Sequence, residues 1–337
     1  MKCPPVVAIV GATGAVGVEF SQMMMQRHFA VADLRCYASA RSAGKTVTFQ
    51  DRRIPVQELT ENSFTGVDIA FFSAGSSISK KFAPAAVRAG AVVIDNSSAF
   101  RMDPSVPLVV PEINPQAIAG HQGIIANPNC STIIGIVPLW PIHRVNRIER
   151  LIAATYQAAS GAGAAAMEEL LASTKAKLED RDYPPKVLPH PYAFNVFSHN
   201  SVVDAATGYN EEELKMLRET RKIFGDPDIR VSATCVRVPV LRAHCEALTI
   251  ECRRPISPGE VRALLSKAPG VKIVDDPGRN YFPMPRDASG QGDVLVGRIR
   301  QDMSDPRGHS IAMFVAGDQL LKGAALNGLQ IAELLVR

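Results

Sequence analysis

The stretch Val6-Val7-Ala8-Ile9-Val10-Gly11-Ala12-Thr13-Gly14-Ala15-Val16-Gly17 decides the fold. Five apolar, mostly β-branched residues read as a buried strand, and three glycines at three-residue intervals follow where a helix-like segment opens. Glycine lets the chain turn sharply and brings backbone N–H groups against a pyrophosphate, while the helix N-terminus supplies a matching positive field. A Gly-rich strand-to-helix turn also occurs without a ligand. Here the strand before and the helix after favour a dinucleotide, with Gly11, Thr13, Gly14, Ala15, Val16 and Gly17 as its binding residues.

Working outward, short apolar runs at Leu34 to Ala38, Asp68 to Ser73, Ala91 to Asp95, Leu108 to Val110 and Gly123 to Ala126 read as further strands. Helix-like stretches at Val16 to Arg27 and Ser79 to Ala89 lie between them. Such alternation predicts an α/β fold with a Rossmann-type, doubly wound, mostly parallel sheet over residues 1–129. Beyond Cys130 the texture changes. Strands are expected at Leu151 to Gln157, Arg230 to Val240, Glu246 to Cys252, Val294 to Arg300 and Ile311 to Val315. Separate helices are expected at Ala164 to Arg181, Glu211 to Phe224, Pro258 to Lys267 and Gln319 to Leu335, and the Pro-rich connection Tyr183 to Pro191 cannot continue a helix. This is the pattern of a second, α+β domain over 130–318. The last helix, 319–337, carries Leu320, Leu321, Leu326, Leu329 and Leu334 on its apolar positions and is expected to pack back on the first domain.

Composition agrees with two domains. The 337 residues exceed the roughly 250 to 300 at which single cores stop growing. With 46% hydrophobic and 21% charged residues, the chain is neither disordered nor a disulfide mini-scaffold. Its 37 basic against 33 acidic residues leave a net charge of +4 without a strong basic run, so no nucleic-acid partner is expected. Six cysteines, Cys3, Cys36, Cys130, Cys235, Cys245 and Cys252, show neither zinc nor disulfide spacing, and no metal is expected. Pro4-Pro5 and the glycines interrupt the apolar N-terminus, which argues against a secretory signal. The stretch from Ile113 to His143 lacks Asp, Glu, Lys and Arg, but its four prolines rule out one membrane-spanning helix. A soluble cytoplasmic chain is expected.

Candidate chemistry follows from four segments. About twenty residues after Gly17, where an NAD site would carry a carboxylate for the ribose, stands Tyr37-Ala38-Ser39-Ala40-Arg41-Ser42. Arg41 between Ser39 and Ser42 suits a 2′-phosphate, so NADP is preferred over NAD, although Arg41 is also readable as an ordinary loop charge. In Asn127-Pro128-Asn129-Cys130-Ser131-Thr132-Ile133-Ile134 a cysteine follows a turn and opens an apolar helix. A helix N-terminus favours thiolate, and backbone donors with the Asn129 amide could bind an oxyanion. A small buried apolar Cys130 is the competing reading. Gln157, where a strand enters a glycine turn, offers an orienting amide. Arg237 and His244, around a strand end, supply a cation and a candidate general acid/base. The other histidines have no comparable context.

Together these segments resemble aspartate-β-semialdehyde dehydrogenases along the whole chain. GATGAVG (Gly11 to Gly17), FFSAGSS (Phe71 to Ser77), VIDNSSAFR (Val93 to Arg101), VVPEIN (Val109 to Asn114), NPNCST, TYQAASGAG, SATCVRVPV and LLKGAALNGLQIAE carry the resemblance, in the family's chain order. It implies an NADPH-dependent, reversible reduction of L-aspartyl-4-phosphate to L-aspartate-4-semialdehyde through a cysteine thioester, in the biosynthesis of lysine and diaminopimelate, methionine, threonine and isoleucine. By resemblance Cys130 is the nucleophile, His244 the acid/base, Asn129 part of the oxyanion site and Gln157 the orienting amide. Arg101 would bind phosphate and Arg237 the substrate α-carboxylate, where a guanidinium fork suits the geometry. Glu212 would meet the α-amino group and Lys215 the phosphate, their i, i+3 spacing sharing a helical face; an E-E-x-K helix is otherwise an ordinary solvated surface. The resemblance extends the cofactor set to Ser73, Gly75, Ser160 and Gly161, makes residues 1–129 the NADP-binding domain and 130–318 the catalytic and dimerisation domain, and implies a homodimer.

Cys245 departs from the family, where serine is common, and the stretch Asp180 to Asp204 has no motif that aligns. The competing enzyme is an N-acetyl-γ-glutamyl-phosphate reductase or related acyl-phosphate reductase, whose cysteine context reads P-G-C-Y rather than P-N-C-S. A catalytically silent homologue serving as a binding or assembly protein is the alternative of another class.

Overall fold

A computed structural model describes residues 4–336; Cys3 lies outside the described residues. The chain divides into two compact units, one holding the residues up to Asn129 and those from Ala324 onward, the other Cys130–Gly323.

In the first unit β1 (Val6–Val10) leads into α1 (Ala15–Gln26), β2 (Asp33–Ala38), β3 (Thr46–Phe49), β4 (Arg52–Glu58), β5 (Ile69–Phe72), α2 (Ser76–Arg88), β6 (Val92–Asp95) and β7 (Ile124–Ala126). The sheet order is β3-β4-β2-β1-β5-β6-β7, parallel throughout except for the β3–β4 pair. The doubly wound reading is borne out, and the order reverses beside β1, where such sheets bind ligands. Two glycines make the turn after β1 possible. Gly11 has φ +88°, and a Cβ there would meet the Ser73 carbonyl oxygen at 2.5 Å; a Cβ on Gly17 would meet the Gly11 carbonyl at 2.2 Å.

One expected strand is absent from this unit and one unexpected hairpin is present. Leu108 to Val110 is not a strand: only Leu108 bridges, to Ala126. The Asn114 side chain takes the groups a ladder would need, accepting from Val110 N–H at 2.9 Å and donating to the Leu108 carbonyl at 2.9 Å. The β3–β4 hairpin, conversely, was not expected. Its turn is made by Gln50 and Asp51 in left-handed conformation, φ 48° and 61°, rather than by the Asn-Gly or Asp-Gly pair that announces such turns.

The second unit contains α3 (Cys130–Val145), β8 (Ile148–Gln157), α4 (Ala164–Leu178), β9 (Phe197–Ser198), α5 (Glu211–Phe224), β10 (Arg230–Arg237), β11 (His244–Cys252), α6 (Pro258–Leu265), β12 (Val271–Ile273), α7 (Pro285–Ala288), β13 (Val294–Gln301) and β14 (Ser310–Gly317). Its mixed sheet runs β12-β13-β14-β11-β8-β10-β9. Strand β8 alternates: Leu151, Ala153, Thr155 and Gln157 are buried, whereas Ile152 and Tyr156 stay 42% and 38% exposed on the other face. Helix α3 covers the buried face closely. A Cβ on Gly317 would come within 2.8 Å of Ile134, and one on Gly135 within 2.7 Å of a Glu246 carboxylate oxygen.

Strand β10 ends at Arg237 instead of Val240 because Pro239 has no N–H to give a ladder. The unaligned stretch before α5 is also ordered. Glu169 accepts the N–H groups of Lys186, Val187 and Leu188 at 2.6, 2.8 and 2.9 Å, and β9 pairs antiparallel with the end of β10.

The expected final helix over 319–335 begins instead as a π turn, Leu321–Ala325, before α8 (Leu326–Val336). Gly323 in that turn lies against Cys130, where a Cβ would come 2.8 Å from the cysteine Cβ. Within the first unit α8 is tied by an Arg27–Glu333 ion pair at 2.6 Å and by the Asn327 amide, which donates to the Val109 carbonyl at 3.0 Å and to Asn127 Oδ1 at 2.6 Å.

Candidate active site

In the first unit the turn between β1 and α1 opens onto a cavity of ≈ 450 Å³. Gly11, Thr13 and Gly14 line one side, Ser39, Arg41 and Ser42 another, and Ser73 a third. Ala15, Val16 and Gly17 form the first turn of α1, outside that lining. The N-cap is Gly14, whose lack of a side chain leaves the first helical N–H groups to an incoming anion. The lining, a glycine turn at a helix N-terminus with serines and an arginine, has the chemistry to hold nucleotide phosphates. Gly75, φ 89°, caps α2 rather than lining the cavity.

One charged residue of the lining escaped the sequence reading. Glu58, at the end of β4 and opposite Ala38 in the register, places a carboxylate in the wall that Arg41 shares. It stands far beyond the position a ribose carboxylate normally occupies, on a hairpin the sequence did not announce. Arg101, also of this unit, is buried and braced, its Nε donating to the Asn127 carbonyl at 2.9 Å and Nη2 to that of Asn96 at 2.9 Å. Asn129 closes the first unit's main segment and is buried.

In the second unit Cys130 is the first residue of α3 and is half buried. Around the ends of β8, β10 and β11 the fold gathers Gln157, Arg237 and His244. His244 is fully buried, and its Nδ1 accepts the Ala158 N–H at 3.0 Å. In the neutral ring the proton therefore sits on Nε2, which has no hydrogen-bond partner among the described residues. Burial first, then the Arg237 cation, push the imidazole down to about 3. Gly161 flanks this nitrogen. A Cβ there would lie 2.9 Å from His244 Nε2 and 3.1 Å from Arg237 Nη1, so the missing side chain is the room in which a ligand could reach both. Ser160 is buried and donated to by the Gln319 amide; it and Gly161 belong to this unit, not to the one with the dinucleotide cavity.

Gln157 donates from Nε2 to Glu212 Oε1 at 3.3 Å, and Lys215 pairs with Glu212 Oε2 at 3.2 Å. Glu212 is 4% exposed, which rejects the solvated-surface reading for it. The i, i+3 pair does share a face, and the two partners hold each other. Arg237 is buried and is engaged by His199 and Asn200, two residues on which the sequence reading placed nothing. Their local sequence carries no signal; only the two-residue pairing of β9 with β10 brings them there. Among the described residues no group of three or more His, Cys, Asp or Glu is placed to hold a metal, and no described helix is long and apolar enough to cross a membrane.

Comparison with known proteins agrees with both units. Residues 6–121 match the profile of the semialdehyde dehydrogenase NAD binding domain and residues 139–322 that of the semialdehyde dehydrogenase dimerisation domain. Aspartate-semialdehyde dehydrogenase of Synechocystis sp. is 55% identical over 100% of this chain and 98% of that protein. The crystal structure of aspartate semialdehyde dehydrogenase II from Vibrio cholerae, complexed with ASA, superposes with a TM-score of 0.96 at 45% identity, covering 100% of this chain and 99% of the other. That of the Candida albicans enzyme with NADP gives 0.75 at 25% identity, covering 99% and 98%. Fold, thiol and nucleotide turn define the class, a two-domain semialdehyde dehydrogenase. Within that class the chain belongs to the aspartate-semialdehyde dehydrogenase family.

Proposed function

We propose that the chain catalyses the reversible, NADPH-dependent reduction of L-aspartyl-4-phosphate to L-aspartate-4-semialdehyde. The observation that carries this reading is the buried cluster of Arg237, His244, Gln157 and Glu212 in the unit whose first residue is Cys130. Cys130 attacks the acyl carbonyl, the carbon–oxygen bond to phosphate breaks, and a thioester forms. Asn129 and the Cys130 N–H hold the oxyanion, and Gln157 orients the acyl group. When bound, NADPH supplies the hydride that reduces the thioester carbonyl. Hydride addition leaves a tetrahedral alkoxide, which re-forms the carbonyl as the carbon–sulfur bond breaks and Cys130 departs as a thiolate. His244 serves that collapse by donating its Nε2–H, the one proton its tautomer can offer, to the departing sulfur.

The substrate is anionic at both ends. Arg237 holds the α-carboxylate, Glu212 the ammonium, and Arg101 with Lys215 the phosphate. The cofactor lies in the first unit's cavity, with Gly11 to Gly17 on the pyrophosphate and Ser39, Arg41 and Ser42 on the 2′-phosphate. Ser73 and Gly75 border that region, and Ser160 and Gly161 serve the nicotinamide end. The exposed face of β8 supports a homodimer through the second unit, in keeping with the matched dimerisation profile. Six cysteines without disulfide spacing support the cytoplasm as its compartment.

The N-acetyl-γ-glutamyl-phosphate reductase and silent-homologue alternatives are not favoured by these relatives. One assay separates the readings: phosphate-dependent reduction of NADP⁺ with L-aspartate-4-semialdehyde against N-acetylglutamate semialdehyde. Turnover of the first and not the second is expected. In the same assay Arg41→Ala should raise the Michaelis constant for NADP⁺ about 10-fold or more, the loss of a charge-assisted contact. Equal use of both aldehydes would sink the substrate assignment, and an unchanged constant would remove Arg41 from the cofactor site.

A further inference from the structure

Arg237 is a buried cation whose hydrogen-bond acceptors, among the described residues, are all neutral. Its Nε donates to Asn200 Oδ1 at 3.2 Å, Nη1 to the Ala158 carbonyl at 3.3 Å, and Nη2 to His199 Nε2 at 2.8 Å. This is an unusual way to hold an arginine, because buried guanidinium groups are commonly neutralised by a hydrogen-bonded carboxylate.

The arrangement fixes the histidine. A guanidinium can only donate, so His199 Nε2 must present its lone pair and the ring proton must sit on Nδ1, 3.0 Å from Ser201 Oγ. The Ser201 N–H also lies 3.2 Å from Nδ1, but the shorter contact to a permanent cation decides the tautomer. Burial, with the Arg237 and Lys215 cations and against the Glu212 carboxylate, pushes the imidazole down to about 4. A neutral His199 is thus what the site holds at neutral pH.

We propose that His199, assisted by Asn200, is a positioning residue that fixes the Arg237 fork with neutral acceptors and so leaves its charge for the substrate's α-carboxylate. A carboxylate in place of His199 would orient the fork equally well and consume the charge; a hydrocarbon would leave the charge and lose the orientation. The inference rests on the reading of Arg237 as the carboxylate-binding residue.

The test compares L-aspartate-4-semialdehyde with 3-aminopropanal, the same aldehyde without the α-carboxylate, in the phosphate-dependent reaction. His199→Leu is expected to raise KM for the semialdehyde about 10-fold or more while leaving KM for phosphate and NADP⁺, and kcat/KM for 3-aminopropanal, within about 2-fold. His199→Gln, whose amide oxygen can replace Nε2, should restore KM to within about 3-fold of the parent. If His199→Leu fails to fold, Asn200→Ala should show the same selective loss. Equal losses for both aldehydes, or an unchanged KM for the semialdehyde, would overturn the proposal. Arg237→Leu is the control: it should abolish the preference between the aldehydes, and if it does not, the reading of Arg237 fails rather than the role of His199.

Discussion

Glu246, on β11 two residues after His244, is wholly buried, and neither carboxylate oxygen has a hydrogen-bond partner among the described residues. Burial first, and the nearby Glu212 charge second, hold its carboxyl well above the ordinary 4.5. The sign follows from linkage. As pH rises past the ordinary value the unfolded chain gives up this proton and the folded protein keeps it, so the residue lowers stability progressively toward neutral pH. His199 and His244 act in the opposite window. Their folded values, about 4 and about 3, lie below the ordinary 6.5, so they cost stability as pH falls below 6.5. Glu246→Gln, which keeps shape and removes the titration, should raise the melting temperature more at pH 8 than at pH 4. An equal shift at both values would mean that Glu246 is not held protonated. At this scale the sequence was most legible where position alone carries chemistry: Cys130 opens a helix in the primary sequence as in the fold, and Glu212 with Lys215 shares a helical face because three residues make nearly one turn. His199 was illegible because its role is a contact across thirty-eight positions, made by a strand of two residues.

At the scale of elements, β8 shows how one alternation serves two purposes. Its buried residues end at Gln157 in the site, and the intervening Ile152 and Tyr156 face outward, with Tyr156 6.1 Å from the Phe314 ring on the same sheet. In the proposed homodimer this exposed face, with its tyrosine and β-branched residue, is the surface assigned to the partner. Ile152→Asp combined with Tyr156→Asp should convert a dimer to a monomer in sedimentation velocity, with far-UV circular dichroism preserved. A parent that sediments as a monomer, or a double variant that stays dimeric, would remove this face from the assembly. Elements with strong periodicity or turn chemistry, such as β1 with its glycine turn and α5 over Glu211–Phe224, were readable to within a residue. Those set by side-chain competition were not. Asn114 dissolves a strand that Leu108 to Val110 would otherwise form, and nothing in Gln50-Asp51 announces a hairpin.

For the whole molecule, two units have separate sheets, one with the cavity at the glycine turn and the other with Cys130 and the buried His244, Arg237, Gln157 and Glu212, and the proposed reaction draws on both. The alternation of elements made the first unit legible as a class, because a doubly wound sheet has few other sequences of strands and helices open to it. The second unit's mixed sheet was not legible as a topology, since its neighbours β14, β11, β8 and β10 are brought together from across the chain. The central claim is covalent catalysis at Cys130, and it can be tested by supplying L-aspartate-4-semialdehyde and NADP⁺ without phosphate, so that the thioester forms and cannot be discharged. A burst of up to one NADPH per site should appear, with an aspartyl group on the peptide containing Cys130, and Cys130→Ala should show neither, its turnover with phosphate falling at least about 1000-fold. A Cys130→Ala protein that keeps near-parental turnover, or an adduct on another residue, would contradict the account.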